Sequence, residues 1–241
     1  MGPFPHDAPP AKISKANPAG TDGFEFVEFA HPEPEKLAEL FTRMGYVPVA
    51  KHRTKDITVW RQGDINYVVN AEPGSHAMKF VDKHGPCASS MAWRVVDAKH
   101  AFDHAVAKGA TPYEGNDKTL DVPAISGIGG SLLYFIEVYG DKGSAYDAEF
   151  EWLGARDPKP EGVGFYYLDH LTHNVYSRQH GQMVGFLSRP VRLQADPFLR
   201  HRRQDHRPGQ PRHHFALRQD PYPAQRVQGR HQPDRRIFEK I

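Results

Sequence analysis

Cysteine is nearly absent from this 241-residue chain: Cys87 stands alone. No disulfide can therefore form within the chain, and a reducing, cytoplasmic setting is the expectation. Long apolar runs are missing too. No segment approaches the roughly 18 apolar residues that a membrane-spanning helix needs. The leader, residues 1–22, is rich in Pro, Ala and Gly but lacks the apolar stretch of a signal peptide, so it reads as flexible. The third shortage, lysine, is local. Residues 177–241 hold 1 Lys against 13 Arg, whereas the residues before them hold 12 Lys and 5 Arg. The overall charge of +2 thus divides into −7 for the body and +9 for the tail. A basic tail on an acidic body ordinarily marks binding to nucleic acid or anionic membrane. Phosphate recognition gives no reason to abandon lysine, however, so neither a specific nucleic acid nor a membrane is expected as a partner.

What is present is a chain long enough for one large or two modest domains. Gly23–Ala30 alternates apolar and charged residues, the period of a half-buried strand. Pro34 then opens a helix whose Leu37, Leu40, Phe41 and Met44 share a face, and Gly45 stops it. Extended segments follow at about 46–53, 56–62 and 65–70, the last two joined by a Gly63-Asp64 turn. The order is βαβββ, and it recurs. Ser90–Val96 is a strand, Asp97 an N-cap, and Ala98, Ala101, Phe102, Ala105 and Val106 form one helical face closed by Gly109. Gly45-Tyr46-Val47-Pro48 and Gly109-Ala110-Thr111-Pro112 mark matching helix exits. The second copy ends in the apolar strand 131–138. Such a repeat specifies more than any single motif. The fold class is α+β, with paired βαβββ units curling into a vicinal-oxygen-chelate, glyoxalase-like half-barrel over residues 23–155. Residues 156–176 form a linker and the first strand of a further unit.

Histidine is the main candidate for chemistry. His170 and His173 lie in one strand, where residues three apart point to opposite faces and cannot share a metal. His170 groups with Leu168, Thr172 and Asn174, while His173 groups with Asp169, Leu171 and Val175. The bland alternative for either is a structural or exposed imidazole. His52, His76 and His84 lack ligand spacing. His100 and His104 stand four apart on the second helix, a spacing that can bind metal, but opposite its apolar face; a solvated pair is expected. Gly127-Ile128-Gly129-Gly130 lacks the spacing of a nucleotide loop and reads as a tight turn. Cys87 has no dyad partner and reads as core filler. His213-His214 have no acidic or cysteine complement nearby.

Several of these segments together resemble the 4-hydroxyphenylpyruvate dioxygenase family. They are Gly23–Phe29, His52-Arg53, Arg61–Asn66, His84-Gly85-Pro86, Val122–Gly130 and, last, Asp169-His170-Leu171-Thr172-His173-Asn174-Val175. The resemblance implies two domains, each a pair of βαβββ units, with Fe(II) in the second. The iron would be held by two histidines and a glutamate, leaving positions open for the 2-oxo acid and for O₂. It implies His170 as the first of these ligands. It implies an oxidoreductase of tyrosine catabolism that takes 4-hydroxyphenylpyruvate and O₂ to homogentisate and CO₂, homo-oligomeric in intact members. The other ligands belong to the family's C-terminal domain and have no recognisable counterpart after Tyr176. Two alternatives remain: a hydroxymandelate synthase-like dioxygenase, or a non-enzymatic, basic-tailed binding module.

The composition break after Tyr176 is what a shifted reading frame would produce, and residues 177–241 are expected to be out of frame. Back-translated one nucleotide out of register, Ser177-Arg178-Gln179-His180 can read Arg-Gly-Asn-Met, and Met183 followed by a valine codon forces a tryptophan. Synonymous codons extend this reading to the end of the chain in a form resembling the family's catalytic domain. As encoded, residues 177–241 combine many prolines with a charge of +9 and little apolar periodicity. They are expected to form a disordered tail, because ordering them recovers too little burial.

Overall fold

In the computed structural model the described residues are 10–168, 170–176, 194–195 and 212–218. The first unit runs β1 (Thr21–Ala30), α1 (Pro34–Arg43), β2 (Val47–His52), β3 (Ile57–Gln62) and β4 (Ile65–Asn70). A connecting helix α2 (His76–His84) leads to the second unit. That unit comprises β5 (Cys87–Val95), α3 (Ala98–Ala107), β6 (Thr111–Pro112), β7 (Ala124–Ser126) and β8 (Leu132–Ile136). β9 (Phe150–Trp152) closes the edge. The nine strands form one sheet in the order β6-β7-β8-β5-β1-β4-β3-β2-β9.

The repeat expected from the helix exits is present in the pairing. β1 runs parallel to β4, and β5 runs parallel to β8 in the same way. The other strands of each unit follow as antiparallel neighbours. The two units meet along the antiparallel β1–β5 seam. Val49 and Ala50 of β2 share one buried cluster with Leu132, Tyr134 and Ile136 of β8, strands far apart in the sheet order. The sheet must therefore curl around that cluster, which gives the half-barrel.

The helices lie on the other face. Ala98, Ala101 and Ala105 of α3 pack on Phe24, Trp93, Leu133 and Phe135. Three alanines let the helix backbone approach the sheet closely. Phe41 of α1 sits among Tyr46, Ile65 and Val69, with Phe29 and Tyr67 against it. Fully burying an aromatic of this kind contributes about 1.5–3 kcal/mol. Leu40, expected on that face, is instead largely exposed. The connecting helix α2 was not anticipated. Its buried stripe is short, Ala77 and Val81 against Ala30, and Ser75 caps it by accepting from the Met78 amide. The Gly127–Gly130 segment is the expected turn, a single 3₁₀ turn over Ile128–Gly130 ahead of β8.

After the barrel, β10 (His170–Tyr176) pairs antiparallel with β12 (Arg212–Arg218), which also pairs with the two-residue β11 (Gln194–Ala195). This corrects the expectation of a tail without regular structure, at least at residues 194–195 and 212–218. The physical reason lies in Arg212–Arg218, a short run without Pro or Gly, set against the open edge of β10. The frame expectation and the rest of the tail expectation fall outside the described residues.

At the start of α3, the Asp97 side chain accepts from the His100 amide at 2.8 Å. Asp97→Ala is expected to lower stability by about 1 kcal/mol, measured by urea unfolding, with the slope of the transition unchanged.

Candidate functional site

The interior of the half-barrel is where a ligand would be sought, and it is filled. Phe26, Val59, Val68, Ala92, Leu132 and Tyr134 occupy its middle. Two buried carboxyl groups from β1, Glu25 and Glu28, terminate this apolar layer, and each is engaged by neighbouring side chains. Glu28 is 1% exposed. It accepts from Asn70 Nδ2 at 2.7 Å and from the hydroxyls of Ser90 and Thr119. Glu25 sits at a register shift in the β1–β5 ladder between Phe24 and Phe26. The irregularity lets Glu25 reach Arg94 Nε at 2.6 Å and Asn66 Nδ2 at 3.1 Å. Asn66 in turn accepts from Arg61 Nε at 2.6 Å. Burial works against the charge of Arg94, but Glu25 beside it outweighs this and holds the guanidinium protonated more firmly than usual.

A cavity of about 260 Å³ opens beside this second cluster, lined by Glu25, Arg61, Arg94, Asp64, Asp157 and Lys159 among others. Six of its charges pair with one another: Arg61 with Asp157, Arg94 with Glu25, and Lys159 with Asp64, at 2.5–2.6 Å. Asp22, which accepts from Tyr139 OH at 2.7 Å near the cavity wall, has its carboxyl pushed up by burial.

The remaining histidines serve the fold. His52, within the extended segment expected at about 46–53, ends β2. It is buried, and its Nδ1 accepts from the Thr54 and Lys55 amides at 3.1 Å. His76 Nε2 meets the Gly130 carbonyl at 2.8 Å and His84 Nε2 meets the Gly129 carbonyl at 3.1 Å, so α2 clamps the 3₁₀ turn. Phe80 stacks between the two rings. The four-residue spacing of His76, Phe80 and His84 was the available signal, and it was missed because α2 itself was missed. Of the pair expected to be solvated, only His100 is exposed, with Nε2 at 2.8 Å from the Pro18 carbonyl. His104 is half-buried, and desolvation, then Lys108 and His100, lower its pKa. The two rings stack at 6.3 Å and 14° rather than converging on a metal. Cys87 opens β5 half-buried, and burial pushes its thiol up.

His170 is the first residue of β10 and is exposed, while Leu171 packs against the α3 core. The imidazole therefore points away from the first barrel. Leu168 precedes the strand and also packs on that core, so it does not share the face of His170. The register partner of His170 is Arg218. Among the described residues no three His, Cys, Asp or Glu side chains come together as metal donors.

Two outcomes are expected of the filled interior. Glu28→Leu removes the acceptor of the Ser90 and Thr119 hydroxyls and one of the two acceptors of Asn70 Nδ2, and is expected to be less stable than Glu28→Gln by about 1–3 kcal/mol in chemical denaturation. Cys87 is expected to react with iodoacetamide at pH 8 more slowly in the folded chain than in denaturant, because burial disfavours its thiolate.

Comparison with known proteins agrees with this architecture. The family described as hydroxyphenylpyruvate dioxygenase, HPPD, N-terminal, matches residues 15–151. A 4-hydroxyphenylpyruvate dioxygenase of Pseudomonas aeruginosa is 46% identical over 184 residues, 74% of this chain and 51% of that protein. This chain spans about half the length of that protein and of other curated relatives. Among solved structures, a xylose isomerase-like TIM barrel/4-hydroxyphenylpyruvate dioxygenase fusion protein superposes with a TM-score of 0.66 at 30% identity, covering 78% of this chain and 29% of that one. A variant of 4-hydroxymandelate synthase from Streptomyces coelicolor shares the fold, with a TM-score of 0.54 at 19% identity, over 73% of this chain and 53% of that one. With paired βαβββ units in place and more than half of its length matched by the family's N-terminal description, the chain belongs to the hydroxyphenylpyruvate dioxygenase family.

Proposed function

We propose that this chain carries the N-terminal half of a 4-hydroxyphenylpyruvate dioxygenase of tyrosine catabolism, the oxidoreductase that converts 4-hydroxyphenylpyruvate and O₂ to homogentisate and CO₂. The observation that carries this reading is the 46% identity to the Pseudomonas aeruginosa protein of that name, extending over 74% of the chain. Relatives of the same name at 44% and 40% identity favour it over hydroxymandelate synthase, for which the likeness is one of fold. No helix among the described residues is long and apolar enough to cross a membrane, in keeping with a cytoplasmic enzyme.

His170 is the proposed first iron ligand, placed at the start of β10. The donor set does not fit Fe(II) as it stands. His170 has no second and third donor gathered around it among the described residues, and β12 brings no carboxylate into register with β10. One imidazole offers a metal a single protein bond, where a non-haem Fe(II) oxygenase uses three. We therefore assign the activity to the family and not to residues 1–241 as encoded. The change of composition after Tyr176 is attributed to a frame break, and a genomic sequence with one clean frame through Ser177 would refute it.

The decisive experiment compares the 241-residue chain with a frame-restored, full-length version. Homogentisate formation and about one bound iron are expected only from the restored protein. In it, His170→Ala is expected to lower kcat/KM by more than about a hundredfold, beyond the 10–100-fold that loss of an outer-shell partner brings. Homogentisate from the 241-residue chain would overturn the assignment.

A further inference from the structure

The segment after β9 looks from its sequence like an ordinary linker, yet its backbone is bound to the barrel along its length. It begins with Asp157 at φ +50°, the one non-glycine residue with positive φ among the described residues. Holding Asp there is unfavourable and persists only where the surroundings enforce it. Arg61 does so, donating through Nη1 to Asp157 Oδ1 at 2.6 Å and to the Pro158 carbonyl at 3.0 Å. Lys159 then pairs with Asp64 at 2.5 Å. The β3–β4 turn adds backbone bonds, Gly63 N–H to the Pro160 carbonyl at 2.7 Å and Asp64 N–H to the Tyr166 carbonyl at 3.2 Å.

At the centre is Gln62, the last residue of β3, with 0% exposure. Its Nε2 donates to the Met44 carbonyl at 2.8 Å, which fixes the amide's orientation. Its Oε1 then accepts from the Val163 amide at 2.5 Å and the Phe165 amide at 3.2 Å. Gly45, Gly63 and Gly162 permit this close approach. A side chain at Gly63 would meet Tyr166 Cα at 2.6 Å, and one at Gly162 would run into the Gln62 amide and the Gly45 carbonyl. The side chains of Val163 and Phe165 face outward, 63% and 51% exposed. Apolar burial is thus not what holds this segment down, and polar bonds must.

We infer that residues 157–166 form a strap clasped to the β3–β4 hairpin, with Gln62 as the clasp, so that Gln62 is a positioning residue for the strand bearing His170. The strap ends two residues before Leu168, which docks on the α3 core and starts the approach to β10. The barrel, and not the linker's own preference, thereby sets where the next unit begins. The clasp stands on geometry alone; its bearing on His170 rests on the functional reading above.

Hydrogen exchange on the 241-residue chain tests it. In Gln62→Ala the Val163 and Phe165 amides are expected to exchange about tenfold faster or more, while β1 and β5 keep their protection. Gly162→Ala, which strikes the clasp from the strap side, is expected to do the same. Gly154→Ala is the control: its φ is not positive and a side chain there meets nothing within 4 Å, so the strap amides should change little. If Gln62→Ala also loosens β1 and β5, Gly162→Ala decides. Unchanged Val163 and Phe165 exchange in Gly162→Ala, or exchange at open-peptide rates in the unsubstituted chain, overturns the strap. In the frame-restored protein, Gln62→Ala is expected to lower iron occupancy. A loosened strap with iron occupancy intact would overturn the positioning role of Gln62. A restored protein that holds no iron even with Gln62 intact would count instead against the reading of His170.

Discussion

The antiparallel seam between β1 and β5 is the contact on which the rest of the barrel depends. Each βαβββ unit by itself ends in an open strand edge, β1 in one and β5 in the other. Joining the edges satisfies both sets of backbone groups and brings the inner faces of the two units around one core. Phe26 from one side of the seam and Ala92 from the other then meet Tyr134 and Val68 in a single cluster. The register shift beside Phe24 is part of the same device. It turns Glu25, which strict alternation would group with Val27, toward Asn66 and Arg94. A carboxyl group so placed must be paired, and Arg94 pairs with it, with Asn66 linking on to Arg61.

That solution closes the first barrel to metal chemistry of the family's kind. Coordination needs several donors with lone pairs directed at one point. Here the lone pairs of Glu28 are taken by an amide and two hydroxyls, and those of Glu25 by a guanidinium and an amide. Neutral donors around Glu28 and a fixed cation beside Glu25 do the electrostatic work an ion would otherwise do. What the barrel does show is how it holds the strap and the approach to β10.

Much of this was legible in the sequence because it is local. Alternation marked β1, helical spacing marked α1 and α3, and the repeated Gly-aromatic or Gly-Ala helix exits marked the duplication. The features that escaped notice are either weakly patterned or long-range. The stripe of α2 is only two residues wide, and Leu40 satisfies helical spacing yet stays 40% exposed. The parallel pairings join the first and last strands of each unit, so they emerge only once a whole unit is assembled. Gln62 looked like a polar residue before a hairpin turn, because its partners, the Val163 and Phe165 amides, lie about a hundred residues away. His170 is singled out as a candidate by the family motif and not by geometry, since strand alternation by itself leaves His173 equally eligible.

A ligand position has meaning only through the strands beside it. The D-H-L-T-H-N-V motif supplies one imidazole and the strand that carries it. Whether that imidazole becomes part of a metal site is decided by what pairs with β10 and what faces it across a barrel. In this chain β10 finds β12, whose sequence Arg-His-His-Phe-Ala-Leu-Arg offers an antiparallel edge but no acid. Backbone hydrogen bonding is indifferent to that deficit, so a strand can be satisfied as a strand while its chemistry is left incomplete. The strap delivers β10 to a defined place on the first barrel, with Leu171 turned into the α3 core and His170 turned out. Among the described residues the backbone is satisfied as far as β10, and what that strand still needs for chemistry is further donor side chains facing its own.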